Sequence, residues 1–361
     1  MKIRVLDVTE ASDFYQIGYL HGSAAGTEIK ECVEKVKALF GSSVDELKRM
    51  FREETTYLDN IRTYLPNVYR EFCGMCDGAG IEQEELLLLN CLDECYLLLN
   101  ERNLIGHCTS FGIKQADDEV IIGQNLDFMK LFDGYQIQIR MKSPKNGMRM
   151  ETVGFAGQIF GIGMNERGIA LVSTTLLNGA YHKNRGIPNT FVQKALLYTE
   201  TLQEAVEILK GCPASTATSW TIAAPCEVMC LETTANRVAV FPKEAVYAHT
   251  NHVLCTDDVI AVPNVSDENG LILHNGKSWE LTLERLEVMK KTVYQYPAIN
   301  ELCSKLSEPP IQRTDTSRTL LSVVMSLKEK EGYLWYRGSD ATQEYTQIKM
   351  NWRKANERTD E

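Results

Sequence analysis

The sequence predicts an α+β fold, in which a helical N-terminal stretch precedes a body of antiparallel strands interleaved with helices. Three observations predict it. Apolar residues recur every three or four positions through the first ~105 residues. From Gly106 onward the period shortens to two, in short runs separated by turn residues. Helical spacing then returns inside the strand-rich body, at Pro188–Lys210 and again at Ser278–Leu306.

The elements follow in order. Tyr15 to Gly22 leads into Ile29, Cys32, Val33, Val36, Leu39 and Phe40, which share one helix face. Leu47, Met50 and Phe51 repeat the spacing, as do Ile61, Tyr64, Leu65, Val68, Phe72 and Met75. Glu82–Asn100 is expected as one further helix, apolar enough to be buried. Strands are expected at Cys108–Lys114, Val120–Asp127, Gln136–Met141, Arg149–Val153, Gln158–Met164 and Ile169–Ser173. Gln115–Asp118, Pro144–Gly147 and Asn165–Gly168 supply turn chemistry between them. Pro188–Lys210 reads as two helices, with Asn189 or Thr190 capping the first, Thr201 capping the second and Gly211 ending it. Strands resume at Trp220–Ala224, Val228–Glu232 and Arg237–Phe241, and helices at Ser278–Lys291 and Ile299–Leu306. Leu320–Leu327 is ambiguous, whereas Gly332–Tyr336 and Gln343–Ile348 read as an edge hairpin. Asn351–Glu361 is polar and expected to fray.

Composition narrows the function classes. The 361 residues are 44% hydrophobic and 24% charged, ordinary for a globular chain with ample core. A net charge of −11 argues against nucleic acid or an anionic membrane as partner, since either needs a basic excess. No run of 18 apolar residues and no signal core occur, so a soluble cytoplasmic protein is expected. The 11 cysteines are odd in number and are expected as free thiols. No glycine-rich phosphate loop is present: Gly157, Gly161 and Gly163 have the wrong intervals.

Metal and papain-type sites are weakly supported. Cys73 and Cys76 with Cys91 and Cys95 superficially suggest zinc, but their gaps also place them on core-facing helix stripes. His249 and His252 follow a strand-like Ala245–Tyr247, without the glutamate of a metalloprotease helix. No cofactor is expected. A Cys-His dyad using His249 or His252 stays open, although the sequence context of papain relatives is absent.

The informative run is Gly106-His107-Cys108-Thr109-Ser110, followed by Gly123-Gln124-Asn125-Leu126-Asp127. Cys108 opens a strand, and Asp127 closes the next strand of a hairpin. A cysteine freed at its amino side carries its own base, because an α-amine titrates near ~8. Such a site needs an acid beside the nucleophile and donors for an oxyanion, for which Asp127 and Asn251 are the candidates. Arg318, Ser219 and His249 are supporting or substrate-binding candidates, with Thr218 beside Ser219. Taken singly, each residue has a plainer reading: Cys108 as a core thiol, Asp127 and Asn251 as turn residues, Arg318 as a surface ion pair.

The ordered set of Cys108-Thr109-Ser110, Gly123–Asp127 and His249-Thr250-Asn251-His252 resembles the peptidase C45 family. That family includes the acyl-coenzyme A:6-aminopenicillanic acid acyltransferases and is more distantly related to choloylglycine hydrolases and penicillin V acylases. Gly18–Gly22 and Cys76–Ile81 resemble its pro-segment. The resemblance implies an N-terminal nucleophile hydrolase sandwich of four layers, αββα. It also implies self-cleavage between His107 and Cys108, giving a helical chain 1–107 and a catalytic chain 108–361 that stay associated as one integrated domain. Carried onto this sequence, Cys108 is nucleophile in both cleavage and turnover, Asp127 the adjacent acid and Asn251 an oxyanion donor. The bulky His107 departs from the glycine at the fungal cut bond. The expected activity is that of a self-processing cysteine amidohydrolase or acyltransferase, with C–N hydrolysis foremost. It would act on a linear amide or thioester of a small molecule or peptide, with acyl-coenzyme A as an eligible donor and a homo-oligomer allowed. The alternatives are a papain-like hydrolase and an unprocessed, non-enzymatic binding protein of the same fold.

Overall fold

Residues 3–99 fold as expected into helices, with one exception at the start. The computed structural model describes residues 3–99, 108–260, 276–314, 317–328, 331–338 and 346–351. Strand β1 (Arg4–Asp7) pairs in parallel with β4 (Gln136–Lys142) of the body, a pairing that a four-residue strand does not announce in sequence. Seven helices follow: α1 (Phe14–Ala24), α2 (Gly26–Phe40), α3 (Val44–Glu53), α4 (Tyr57–Tyr64), α5 (Pro66–Ala79), α6 (Gln83–Asn90) and α7 (Leu92–Leu98). The single helix expected over 82–100 is thus two. The break falls at Cys91, where buried Asn90 turns its amide onto the body: Nδ2 donates to Leu86 O and Gly157 O, and Oδ1 accepts from Ile159 N.

Helices α1 and α5 pack backbone to backbone. A Cβ on Gly18 would lie 1.7 Å from the Glu71 carbonyl oxygen, and one on Gly74 would lie 1.9 Å from that of Tyr15. Gly22 and Gly78 repeat the arrangement one turn on, at 2.4 Å and 2.2 Å from backbone oxygens. The glycine pairs in Gly18–Gly22 and Gly74–Gly78 therefore set the distance of closest approach between the two helices.

The body holds two sheets. One has the order β1-β4-β5-β6-β7-β8-β9-β10, with β5 (Arg149–Phe155), β6 (Gly163–Asn165), β7 (Ala170–Thr175), β8 (Thr218–Ala224), β9 (Glu227–Thr233) and β10 (Val238–Val240). The other runs β11-β2-β3-β12-β13-β14, with β2 (Thr109–Lys114), β3 (Val120–Met129), β11 (Val246–His249), β12 (Ser317–Lys328), β13 (Glu331–Gly338) and β14 (Thr346–Asn351). The expected edge hairpin is β13–β14, antiparallel at the sheet's end. The strand expected over 158–164 is mostly irregular. Gly157 turns the chain at φ 82°, Ile159 N is taken by Asn90, and only Gly163–Asn165 joins the sheet.

Strands β2 and β3 face β7, β8 and β9 across the sandwich. Helices α8 (Asn189–Leu197) and α9 (Leu202–Gly211) cover the outer face of the first sheet, and α10 (Gly276–Val293) and α11 (Ile299–Lys305) that of the second. The layers are therefore helix, sheet, sheet, helix, with α5 stacked on α8. Thr201 caps α9 by accepting from Glu204 N, as its sequence position predicts; Pro188 precedes α8 without a side-chain cap. One apolar cluster runs from Ile17 and Phe72 through Leu89 to Leu126 and Leu171, so the N-terminal helices and the sheets share a core. Buried charge also joins them: Lys194 of α8 meets Glu71 of α5 at 2.9 Å, and Tyr198 donates to the same carboxylate at 2.8 Å.

Candidate active site

The β2–β3 hairpin places Cys108 where its thiol can meet the end of β3. In the antiparallel register Thr109 lies opposite Asn125, so Cys108 comes level with Leu126-Asp127 of the next strand. Its Sγ donates to the Asp127 carbonyl at 4.0 Å, and the residue is only 5% exposed. Burial pushes the thiol up to about 12, and the Asp127 charge adds to that; contact with the Asp127 backbone, the Arg285 guanidinium and the Gln124 amide act the other way. The thiol of the continuous chain is therefore protonated at neutral pH. A thiol in that state is a poor nucleophile until a base takes its proton.

Asp127 is fully buried and accepts from the Thr319 hydroxyl, which sits opposite it in the β3–β12 register. Thr319 is itself held by Arg313, whose backbone N donates to its Oγ1 at 2.9 Å. Asn251 follows β11 and is fully buried. Its Nδ2 donates to Thr175 O at 3.0 Å, leaving a second N–H on the same nitrogen, and its backbone N donates to Thr282 Oγ1 at 2.9 Å.

The residue that joins these groups is Arg285 of α10, fully buried. One guanidinium nitrogen donates to Cys108 O at 2.7 Å and to Thr109 Oγ1 at 2.8 Å, and the other donates to Asn251 Oδ1 at 2.9 Å. Sequence reading passed it over in favour of Arg318. A signal was there: Thr282, Leu286, Met289 and Val293 form the buried stripe of α10, and Arg285 falls within it at helical spacing. A long cation on a core-facing stripe needs a specific set of acceptors.

The other expected supporting residues lie elsewhere. Arg318 pairs with Phe128, one position before Thr319, so alternation turns it away from Asp127; its guanidinium is 3.8 Å from Asp133 at the rim. Ser219 is buried in β8, 3.7 Å from the Cys230 sulfur, and lies outside the Cys108 cleft, as does Thr218. His249 places Nε2 2.9 Å from Glu232 and Nδ1 2.9 Å from Thr250 O. Glu232 in turn accepts from the backbone N of Leu254, Cys255 and Thr256, so this pair braces the loop after Asn251. His252 lies 3.3 Å from the hydroxyls of Thr250 and Thr282 and packs on Trp279; burial holds it down to about 4. Both rings are thus engaged away from Cys108, which removes the support for a Cys-His dyad. His107 lies outside the described residues.

Cys108 opens onto a cleft between the two sheets and the α6–α7 junction. Its walls include Leu126, Phe128, Phe160, Ser173, Thr175, Gln158, Gln193, Asp93 and Glu94, around a cavity of about 60 Å³. That is room for only a few waters, so the walls already stand within contact distance of a small bound group. Gln124 spans the sheets beside it, its Oε1 accepting from Ser173 N at 2.9 Å. Among the described residues no cluster of three or more His, Cys, Asp or Glu side chains is arranged to hold a metal. Among them, too, no helix is long and apolar enough to cross a membrane.

Comparison with known proteins meets this geometry. The family model described as "Acyl-coenzyme A:6-aminopenicillanic acid acyl-transferase" matches residues 114–338. The Emericella nidulans protein described as acyl-coenzyme A:6-aminopenicillanic-acid-acyltransferase 40 kDa form is 29% identical over 210 residues, covering 56% of each chain. The match thus spans about half the length of that curated relative.

Proposed function

The chain belongs to the acyl-coenzyme A:6-aminopenicillanic acid acyl-transferase family, and from that premise we propose that it is a self-processing cysteine amidohydrolase or acyltransferase with Cys108 as nucleophile. The observation that carries the proposal is the Arg285 fork, which ties the Cys108 carbonyl and the Asn251 amide into one rigid unit. Fixed relative positions of nucleophile and oxyanion donor are what acyl transfer requires.

In the continuous chain the Cys108 thiol attacks the His107 carbonyl, shifting that acyl group from nitrogen to sulfur. Water then hydrolyses the thioester, leaving residues 1–107 as one chain and Cys108 with a free α-amine. This amine takes the proton of the Cys108 thiol, and the thiolate attacks the substrate carbonyl. Asn251 Nδ2 donates to the developing oxyanion, and Asp127 stabilises the ammonium that has formed. The ammonium returns its proton to the leaving amine as the tetrahedral intermediate collapses to an acyl-Cys108 thioester. Water or a second amine then takes the acyl group and regenerates the thiolate-ammonium pair. Family membership fits an acyl-coenzyme A donor as well as an amide, although among the described residues that line the cleft none is a lysine or arginine. The shared core and the buried Glu71–Lys194 pair favour the two chains staying together after the cut.

Intact-mass analysis of purified protein should reveal two species divided at His107–Cys108, and Cys108→Ala should remain one inactive chain. A wild-type protein that stays whole and turns over N-acyl amides at full rate would sink the proposal. A whole and inert protein would favour a binding role for the same fold.

A further inference from the structure

We propose that the buried Glu232–His249 pair positions the oxyanion donor Asn251, so that both residues act on the reaction through Asn251 although neither lines the Cys108 cleft. This deepens the preceding reading and rests on it for the roles of Cys108 and Asn251. The geometry of the pair and its energetics both support it.

His249 ends β11 of one sheet and Glu232 sits in β9 of the other, both fully buried, so their contact crosses the sandwich. Glu232 Oε1 accepts from His249 Nε2 at 2.9 Å and from Leu254 N at 2.6 Å. Its Oε2 accepts from Cys255 N at 2.9 Å and Thr256 N at 2.8 Å. Four donors thus converge on two oxygens, an arrangement that suits an ionised carboxylate and a ring nitrogen that carries hydrogen. The other ring nitrogen, Nδ1, faces Thr250 O at 2.9 Å, and a carbonyl can only accept. Burial alone would raise the Glu232 carboxyl; the hydrogen bond and charge of His249, with the Thr256 and Leu254 amides, outweigh it and hold the group below the ordinary carboxylate range. The ring therefore grips the residue before Asn251, and through Glu232 it grips three residues of the chain that follows.

Stability alone does not account for such a pair. Replacing a buried ion pair by apolar groups of like volume is often neutral, because desolvation offsets the attraction. What the pair supplies is a single arrangement of the chain around it, and the residue so arranged is Asn251. Other elements fix where that residue sits: its backbone N donates to Thr282 Oγ1 at 2.9 Å, its carbonyl accepts from Leu177 N at 2.9 Å, and its Oδ1 accepts from Arg285 at 2.9 Å. The bridge from His249 to Glu232 fixes how the chain enters and leaves it, and with that the direction of the Nδ2 hydrogen left for the oxyanion. Small misplacements of a donor of this kind are costly, because its bond to the reacting oxygen strengthens only as charge develops there.

The test uses the purified full-length protein and two probes of like size, butyraldehyde and butyramide. The aldehyde adds the Cys108 thiol across its carbonyl, sulfur to carbon and proton to oxygen, and so places a tetrahedral oxygen at Asn251; the amide binds without adding. Each probe's affinity is read from its protection of Cys108 against iodoacetamide, by peptide mapping. Wild type should bind the aldehyde far better than the amide. Glu232→Gln turns an N–H group toward backbone donors and should lower that aldehyde-to-amide ratio by about tenfold, the worth of one hydrogen bond to the oxygen. His249→Asn leaves Glu232 its three backbone bonds, should lower the ratio similarly, and carries the test where Glu232→Gln does not fold. A ratio unchanged in the folded variants overturns the proposal and leaves Cys108 as nucleophile. Weaker protection by both probes alike marks a merely structural pair and overturns it too. Equal protection by the two probes in wild type refutes the roles given to Cys108 and Asn251, and the proposal falls with them.

Discussion

Replacing Arg285 by lysine keeps the positive charge and most of the length but removes the fork. In the structure two guanidinium nitrogens reach three acceptors, Cys108 O at 2.7 Å, Thr109 Oγ1 at 2.8 Å and Asn251 Oδ1 at 2.9 Å. A lysine nitrogen is a single centre, and it cannot reproduce two nitrogens aimed at β2 on one side and the Asn251 loop on the other. At least one buried acceptor is left unmet. Charge-assisted hydrogen bonds each contribute about 1.5–3 kcal/mol, and neighbouring losses do not add fully. A net loss of about 3 kcal/mol of stability is therefore expected for Arg285→Lys, a large share of the roughly 5–15 kcal/mol that holds a typical domain. Urea unfolding followed by tryptophan fluorescence measures it. The same change frees the Asn251 amide from its fixed orientation, so turnover should fall by about 10²–10³-fold, the usual cost of a lost oxyanion donor. Self-cleavage, followed by intact mass, should slow with it. A lysine variant within about 1 kcal/mol of wild type, cut and active at the normal rate, would refute the claim that the fork is what organises the site.

Three further outcomes are expected. Gly18→Ala places a methyl 1.7 Å from the Glu71 carbonyl oxygen and must push α1 off α5, at a cost of about 1–3 kcal/mol or more, read as a lower Tm; an unchanged Tm would contradict the packing. Burial, with the Lys194 charge in support, holds His21 down to about 3, below its ordinary 6.5, so the unfolded chain takes up its proton first. Stability should then fall by about 1.4 kcal/mol per pH unit for this group as pH drops below about 6.5, ceasing near pH 3. His21→Gln should flatten that slope between pH 6.5 and 4.5 in equilibrium unfolding, and an identical slope would rule His21 out. Finally, in the uncut chain the buried thiol of Cys108 should react with iodoacetamide at pH 8 far more slowly than exposed Cys226. Peptide mapping that finds Cys108 labelled first would contradict its protonated, buried state.

Most of the fold was legible because its elements are long or strictly periodic. The stripe from Ile29 to Phe40 became α2, and the alternating runs on either side of Gln115–Asp118 became the β2–β3 hairpin. What sequence missed was decided by tertiary contacts. Asn90 ends α6 because its amide is taken by Gly157 and Ile159, some 67 and 69 positions away. β1 exists because Gln136–Lys142 offers it a parallel edge. In each case local spacing is silent about a partner that arrives only when the chain has folded.

The site divides along the same line. Cys108, Asp127 and Asn251 could be singled out because each sits in or beside a strand in a distinctive run, and the β2–β3 register draws the first two together. Arg285 and Thr319 could not, because their roles depend on which face of α10 and which register of β12 meet the hairpin. A shift of one residue in the β12 pairing would have set Arg318, not Thr319, against Asp127. The bulge between Thr319 and Leu321 is part of what fixes that register. The chemistry proposed for Cys108 thus depends on an alignment at Thr319, 192 positions from Asp127, and substitutions along β12 should disturb the site without touching a reacting atom.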